Sequence, residues 1–177
     1  MRVRLLDANR IINDARNARA KGAEFVYVSL HWGEEKNWRV TADQRRLAEQ
    51  LTGSGAIDLI IGHHVHVLQP IEEINGRWVV FGLSNLISNL PGGDEAWPAS
   101  SQDGAVVTTE VSRKAGGGWT VAKPVVHPTW VDHTGYLIRL VAPDINDPAT
   151  PSAILPELRN SLERTRKVLG DYLAPGT

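Results

Sequence analysis

Two short apolar strands flanking a single well-marked helix constrain this chain more than any other feature. Phe25 to Leu30 (FVYVSL) is β-branched and aromatic, the composition of a buried strand, and Ile57 to Ile61 (IDLII) repeats that character. Between them Thr41, followed three residues later by Gln44, forms a capping box. Leu47, Ala48 and Leu51 share one helical face, and Gly53 is the stop. Strands joined through one helix run parallel with a right-handed crossover. Open α/β sheets bind their ligands beyond the carboxyl ends of such strands. Histidines follow each strand directly, in Ser29-Leu30-His31-Trp32-Gly33 and in Gly62-His63-His64-Val65-His66. The crossover therefore carries four of the six histidines to one sheet edge.

The rest of the chain extends this unit. Asp7 caps a helix whose apolar face is Ile11, Ile12, Ala15 and Ala18, closed by Gly22. Val67 to Ile74 and Arg77 to Leu83 flank Asn75-Gly76, the strongest two-residue hairpin signal, which favours a type I′ turn; Pro70 puts the first arm at a sheet edge. Leu90 to Asp103 reads as a long surface loop. Val106 to Val111, Trp119 to Val126 and Tyr136 to Val141 read as strands, with His127-Pro128 and Asp132-His133 in a loop between the last two. Pro143 to Pro151 reads as a linker, and Leu155, Leu158, Leu162 and Leu169 mark a C-terminal amphipathic helix. The expected class is α/β, with mixed sheets and outer helices, in two units: residues 1–142, then a linker and helix over 143–177.

Composition removes several functions. Nineteen Lys and Arg against 20 Asp and Glu leave a net charge of −1, so no field over the whole chain recruits nucleic acid or an anionic membrane. The absence of cysteine excludes disulfides, thiolate zinc sites and cysteine nucleophiles. No apolar run reaches the length of a membrane span, and Met1 to Arg4 leads toward a helix rather than a signal peptide. There is neither a nucleophile elbow nor a phosphate-binding loop of the Walker type.

What remains is metal chemistry. Neutral imidazole is the commonest metal ligand. In an extended segment His64 and His66 project to one face, with Cβ atoms about 7 Å apart. That spacing suits one ion or a pair about 3.5–4 Å apart. His63 falls on the other face with Val65, which suits substrate contact better than ligation. Glu34 and Glu35 follow His31 closely enough to bind metal or activate water, a solvated turn being the plainer reading of Glu34, and Asn85 reaches the same edge after the hairpin. Trp32, Trp38 and Trp97 either line a groove or serve packing. His127 and His133 read as ordinary loop residues.

The strings SLHWGEE, DQRRLAEQL and GAIDLIIGHHVHVLQPIEEINGRWVVFGLSN resemble the second half of the CapA (PgsA) family of bacterial capsule and poly-γ-glutamate synthesis factors, which have a calcineurin-like metallophosphatase fold. The resemblance runs from Ala8 to Asn89, more loosely to Val141, and leaves the residues from Pro143 onward uncovered. It implies part of an αββα sandwich, and divalent ions (Mn, Zn or Fe, one or two) held by His31, His64 and His66. Glu35 matches the acidic residue of the family's HWG-x-E string. Asn85 matches the asparagine of its SLGN string, which here reads Gly82-Leu83-Ser84-Asn85, and Val65 stands where the family has proline. His63 would stabilise developing charge. The resemblance further implies a phosphoester or anionic polymer as substrate and a place in the bacterial cell envelope.

One departure is large. The family's glycine-aspartate, asparagine-leucine-glutamate and asparagine-asparagine-histidine segments, which supply the remaining ligands, have no counterpart ahead of His31. The expectation is an incomplete member of the family that self-associates or pairs with a missing N-terminal half. The rivals are a non-catalytic module that binds a polymer or an assembly partner, and a mononuclear zinc site of three histidines with an open position.

Overall fold

The computed structural model describes residues 6–177; the reading of Met1 to Arg4 lies outside them. Asp7 opens helix α1 (Ala8–Ala20), its carboxylate accepting from the Arg10 amide at 2.9 Å. Strand β1 (Tyr27–His31) leads to helix α2 (Ala42–Gly53) and strand β2 (Leu59–His63). The capping box of α2 is complete: Gln44 N donates to Thr41 Oγ1 at 3.2 Å and Thr41 N to Gln44 Oε1 at 3.0 Å. Strands β3 (Ile71–Ile74) and β4 (Arg77–Val80) form the expected hairpin, with Asn75 and Gly76 both at positive φ (51° and 68°) as a type I′ turn requires.

These strands make one four-stranded sheet in the order β1-β2-β4-β3. β1, β2 and β4 are parallel, and β3 is the antiparallel edge that Pro70 announces. Helices α1 and α2 cover one face, burying Ala15, Leu30, Ala48, Leu51, Ile57, Ile60, Val79 and Phe81 in one core. Asp58, buried at the head of β2, accepts from Arg19 of α1 at 2.6 Å and from the Val26 amide at 2.8 Å, which fixes the helix across the strand.

A second sheet, β5-β8-β9, is formed by β5 (Asp103–Thr108), β8 (Val125–Asp132) and β9 (Leu137–Leu140). The short pair β6 (Val111–Arg113) and β7 (Trp119–Val121) stands apart as a ribbon. Helices α3 (Val141–Asn146) and α4 (Leu155–Leu169) complete the chain. Leu68, Ile71 and Val80 of the first sheet share a core with Ala105, Val126 and Leu169 of the second layer. The molecule is therefore mixed α/β, with several sheets and outer helices, a partial sandwich of the expected class.

Three local readings are corrected. The run Trp119 to Val126 breaks into β7 and β8, and Val106 to Val111 into β5 and β6. His127-Pro128 and Asp132 belong to β8, the central strand, not to a loop. Pro128 is tolerated because β9 joins β8 only from Thr129 onward and the bridge to Leu173 is made at Val126, leaving Pro128 itself with a ladder partner on the β5 side alone. Pro143 lies in the first turn of α3, where a missing amide hydrogen costs no helical bond, so residues 143–146 are helical and not a linker.

Candidate metal centre

Both central strands run on into the histidines. His31 and His63 are register partners at the carboxyl ends of β1 and β2, and burial, followed by the neighbouring His31, pushes His63 below the ordinary imidazole value. Beyond them the chain does not stay extended. His64 and His66 have φ of 100° and 58°, so the alternation expected for a strand is not what brings them together. Lys36 (φ 65°) and Ser84 (φ 60°) lie at the same edge, in the loops after β1 and β4. Each such residue costs about 1–3 kcal/mol and persists only where its surroundings over-determine it.

The surroundings here do so. Lys36 N donates to Val65 O at 2.7 Å, Trp32 N to His63 O at 3.1 Å, and Leu83 N to Gly62 O at 3.3 Å, stitching three loops together. Val65 is fully buried between two glycines: a Cβ on Gly33 would stand 2.8 Å from one of its methyls, and a Cβ on Gly82 2.9 Å from the other. Beneath this plug the buried amides of Gln44 and Gln69 pair at 2.8 Å, and Gln69 Nε2 also donates to the carbonyls of Asn37 and Arg39. Trp32 is buried, stacked on Phe81 and donating to the Phe81 carbonyl at 2.8 Å. It serves packing.

The rings of His31 and His64 lie 4.4 Å apart between centroids, and those of His64 and His66 6.3 Å. Asn85 meets His66, with Oδ1 2.8 Å from Nδ1, while Asn85 Nδ2 donates to Ser101 O at 3.4 Å. With Oδ1 as the acceptor of this pair, the contact suits the tautomer of His66 that donates from Nδ1 and presents Nε2 at the edge. That is how an outer hydrogen bond prepares an imidazole for a metal. Trp97 packs edge-on against His66 at 5.4 Å. Glu35 is exposed on the turn after Gly33, and Glu34 accepts from Asn37 Nδ2 at 3.1 Å. His31, His64 and His66 are the side chains at this edge with nitrogens of the kind a divalent ion takes, set as two pairs of neighbouring rings. Among the described residues no group of three or more His, Asp or Glu side chains is placed so that it could hold a metal ion.

Two features had no signal in the sequence. The Gln44–Gln69 pair joins residues 25 apart, and the seat of Trp97 against His66 spans a long loop. The other histidines stay away from this edge: His127 faces Thr108 Oγ1 at 3.3 Å, and His133 donates from Nε2 to Ser88 O at 3.0 Å.

Fold and site together define an α/β protein with a histidine-rich edge at the carboxyl ends of parallel strands. The family described as bacterial capsule synthesis protein PGA_cap matches residues 2–90, half of the chain, including every histidine of the edge together with Glu35 and Asn85. The chain belongs to this family. The PGA biosynthesis protein CapA of Bacillus subtilis (strain 168) is 35% identical over 107 residues, 60% of this chain and 26% of that protein. The capsule biosynthesis protein CapA of Bacillus anthracis is 32% identical over 96 residues, 54% of this chain and 22% of that protein. A probable polyglutamine synthesis accessory protein of Mycobacterium tuberculosis (strain H37Rv) is 28% identical over 69 residues, 39% of this chain and 18% of that protein. The chain spans about a quarter of the length of these two CapA relatives. Among the described residues no helix is long and apolar enough to cross a membrane.

Proposed function

We propose that this chain carries the histidine half of a metal-dependent hydrolase site of the CapA type, acting on a phosphoester or a similar bond in the making of an anionic capsule or poly-γ-glutamate polymer in the bacterial cell envelope. The observation that supports this most directly is the placing of His31, His64 and His66 at one sheet edge, with the His31 and His64 rings 4.4 Å apart, those of His64 and His66 6.3 Å, and Asn85 Oδ1 2.8 Å from His66 Nδ1. His31, His64 and His66 would hold one or two divalent ions such as Mn, Zn or Fe. A bound ion of this kind supplies acidification of water and neutralisation of developing charge.

The chain's own residues do the rest. Asn85 keeps the proton of His66 on Nδ1, away from the ligating nitrogen. His63, held toward its neutral form by burial and by His31, donates a hydrogen bond to the substrate oxygen that gains charge. Glu35, exposed beside the edge, accepts a proton from the attacking water.

Calorimetric titration of the whole chain with Mn²⁺ and Zn²⁺ tests this reading. Binding is expected in the wild type and loss of it in the triple variant His31→Ala, His64→Ala, His66→Ala; a triple variant with unchanged affinity overturns it. That no group of His, Asp or Glu among the described residues is placed to hold an ion favours a second reading, in which the module binds polymer or an assembly partner without hydrolysis. One ion per chain with no turnover of a simple phosphomonoester, even with an upstream segment restored, selects that reading. One ion with turnover selects a mononuclear three-histidine zinc site.

A further inference from the structure

We propose that Lys36 and Trp97 form a binding subsite for an anionic group, a phosphoryl or a carboxylate, immediately beside His66. Lys36 Nζ stands 4.6 Å from the centroid of the Trp97 indole, and the same indole meets the His66 ring edge-on at 5.4 Å. Lysine, indole and imidazole form one contiguous surface, drawn from three loops distant in sequence.

The lysine is placed, not merely present. Its backbone is left-handed (φ 65°) and its amide is tied to Val65 O at 2.7 Å, one residue from His66. Two carboxylates adjoin it in sequence, yet among the described residues it pairs with neither. Glu34 accepts from Asn37, and Glu35 is exposed. Trp97 is held in turn by its own loop: Asp94 Oδ1 accepts from the amides of Ala96 (2.9 Å) and Trp97 (2.6 Å), and Trp97 O accepts from those of Gly93 and Asp94.

An ammonium over an indole face keeps its charge and retains donors pointing away from the ring. It is already oriented, so an incoming anion has less side-chain freedom to remove than with a free surface lysine. Trp97 lies beyond residues 2–90, which match the family model, while Lys36 and His66 lie within them. If the histidine edge is the reaction centre, the ligand is a molecule with a second anionic group beside its reacting bond, as a repeating polyanion has. In that respect the inference rests on the proposed function, but anion binding is measured without it.

The test is equilibrium titration of the whole chain, stripped of metal with a chelator and kept at low salt. Inorganic phosphate and glutarate serve as separate probes of the phosphoryl and carboxylate cases. Lys36→Ala is expected to weaken binding of the preferred anion by about tenfold or more, the worth of a charge-assisted contact. Lys36→Arg restores it, and Trp97→Ala weakens it in part. The proposal is overturned if the wild type binds neither anion, if Lys36→Ala binds as the wild type does, or if Lys36→Arg binds no better than Lys36→Ala. Metal titrations of the same variants are expected to match the wild type. The anion subsite and the histidine site can therefore fail independently.

Discussion

His64 combines two demands that oppose each other: its ring lies 4.4 Å from His31, and its backbone sits at φ 100°, where a Cβ is strained. The position is held for its side chain and not for stability. His64→Gly is therefore expected to raise the urea midpoint, by about 1 kcal/mol, while metal affinity falls. His64→Ala, which keeps the strained Cβ, gives the second effect without the first. Equilibrium unfolding and metal titration of the two variants separate these outcomes. Asp132 shows a residue of the other kind. Burial pushes its carboxyl up, but hydrogen bonds from Arg139 and the Thr134 amide and the Arg139 charge outweigh that and hold it below the usual carboxylate range. Its contribution is whole above the unfolded-chain value near about 3.9 and is lost as pH falls through the lower folded-state value. Asp132→Asn is expected to flatten that acid limb in urea melts repeated from neutral pH downward.

Among the elements, α2 and its two flanking strands were the most legible. The signals that made them so are local: a capping residue, an apolar face, a glycine stop. Thr41→Ala removes the side-chain half of the capping box and is expected to cost about 1 kcal/mol in a chemical melt. Gly62 carries no comparable signal, because what it requires lies on another strand. A Cβ there would meet Phe81 O at 1.9 Å and Trp32 Nε1 at 2.3 Å, so Gly62→Ala is expected to separate β2 from β4 and lower the melting temperature far more than Thr41→Ala. Helix α4 was legible from its leucines, but its attachment was not. Arg164 reaches Asp103 of β5 through two bonds of 2.6 and 2.8 Å. Arg164→Ala leaves that buried carboxylate unpaired and is expected to cost about 3–5 kcal/mol, measured by equilibrium unfolding. The strands β5 to β8 were cut wrongly because their hydrophobic runs pass through turns without strong punctuation, and pairing alone decides where each ends, whereas β9 falls within the run read for it.

Across the whole molecule, the helices cover one face of the first sheet, while the second sheet reaches only its β4 and β3 side. The ribbon β6–β7 meets the residues just ahead of β1, with Trp119 edge-on to Phe25 at 6.4 Å, while Tyr27, on that edge strand, is 61% exposed. Leu137, Ile138 and Leu140 are exposed on β9, the edge of the second sheet. Unpaired edges bearing apolar side chains are templates for association. Self-association that grows with concentration is expected in sedimentation velocity, and the double variant Tyr27→Lys, Ile138→Lys is expected to reduce it. A single monomeric species at all concentrations would contradict this.

Sequence alone determined the parallel unit, its helix, the Asn75-Gly76 hairpin and the delivery of His31 and His63 to one edge, because each follows from neighbours within a few residues. Tertiary structure alone decided how the edge is built. Val65 wedged between Gly33 and Gly82, Gln44 paired with Gln69, and Trp97 folded back on His66 are contacts across the chain. A histidine in a left-handed backbone is unfavourable locally and is held there only when such distant packing outweighs the strain, which is why no reading of residues 63 to 66 by themselves could foresee it.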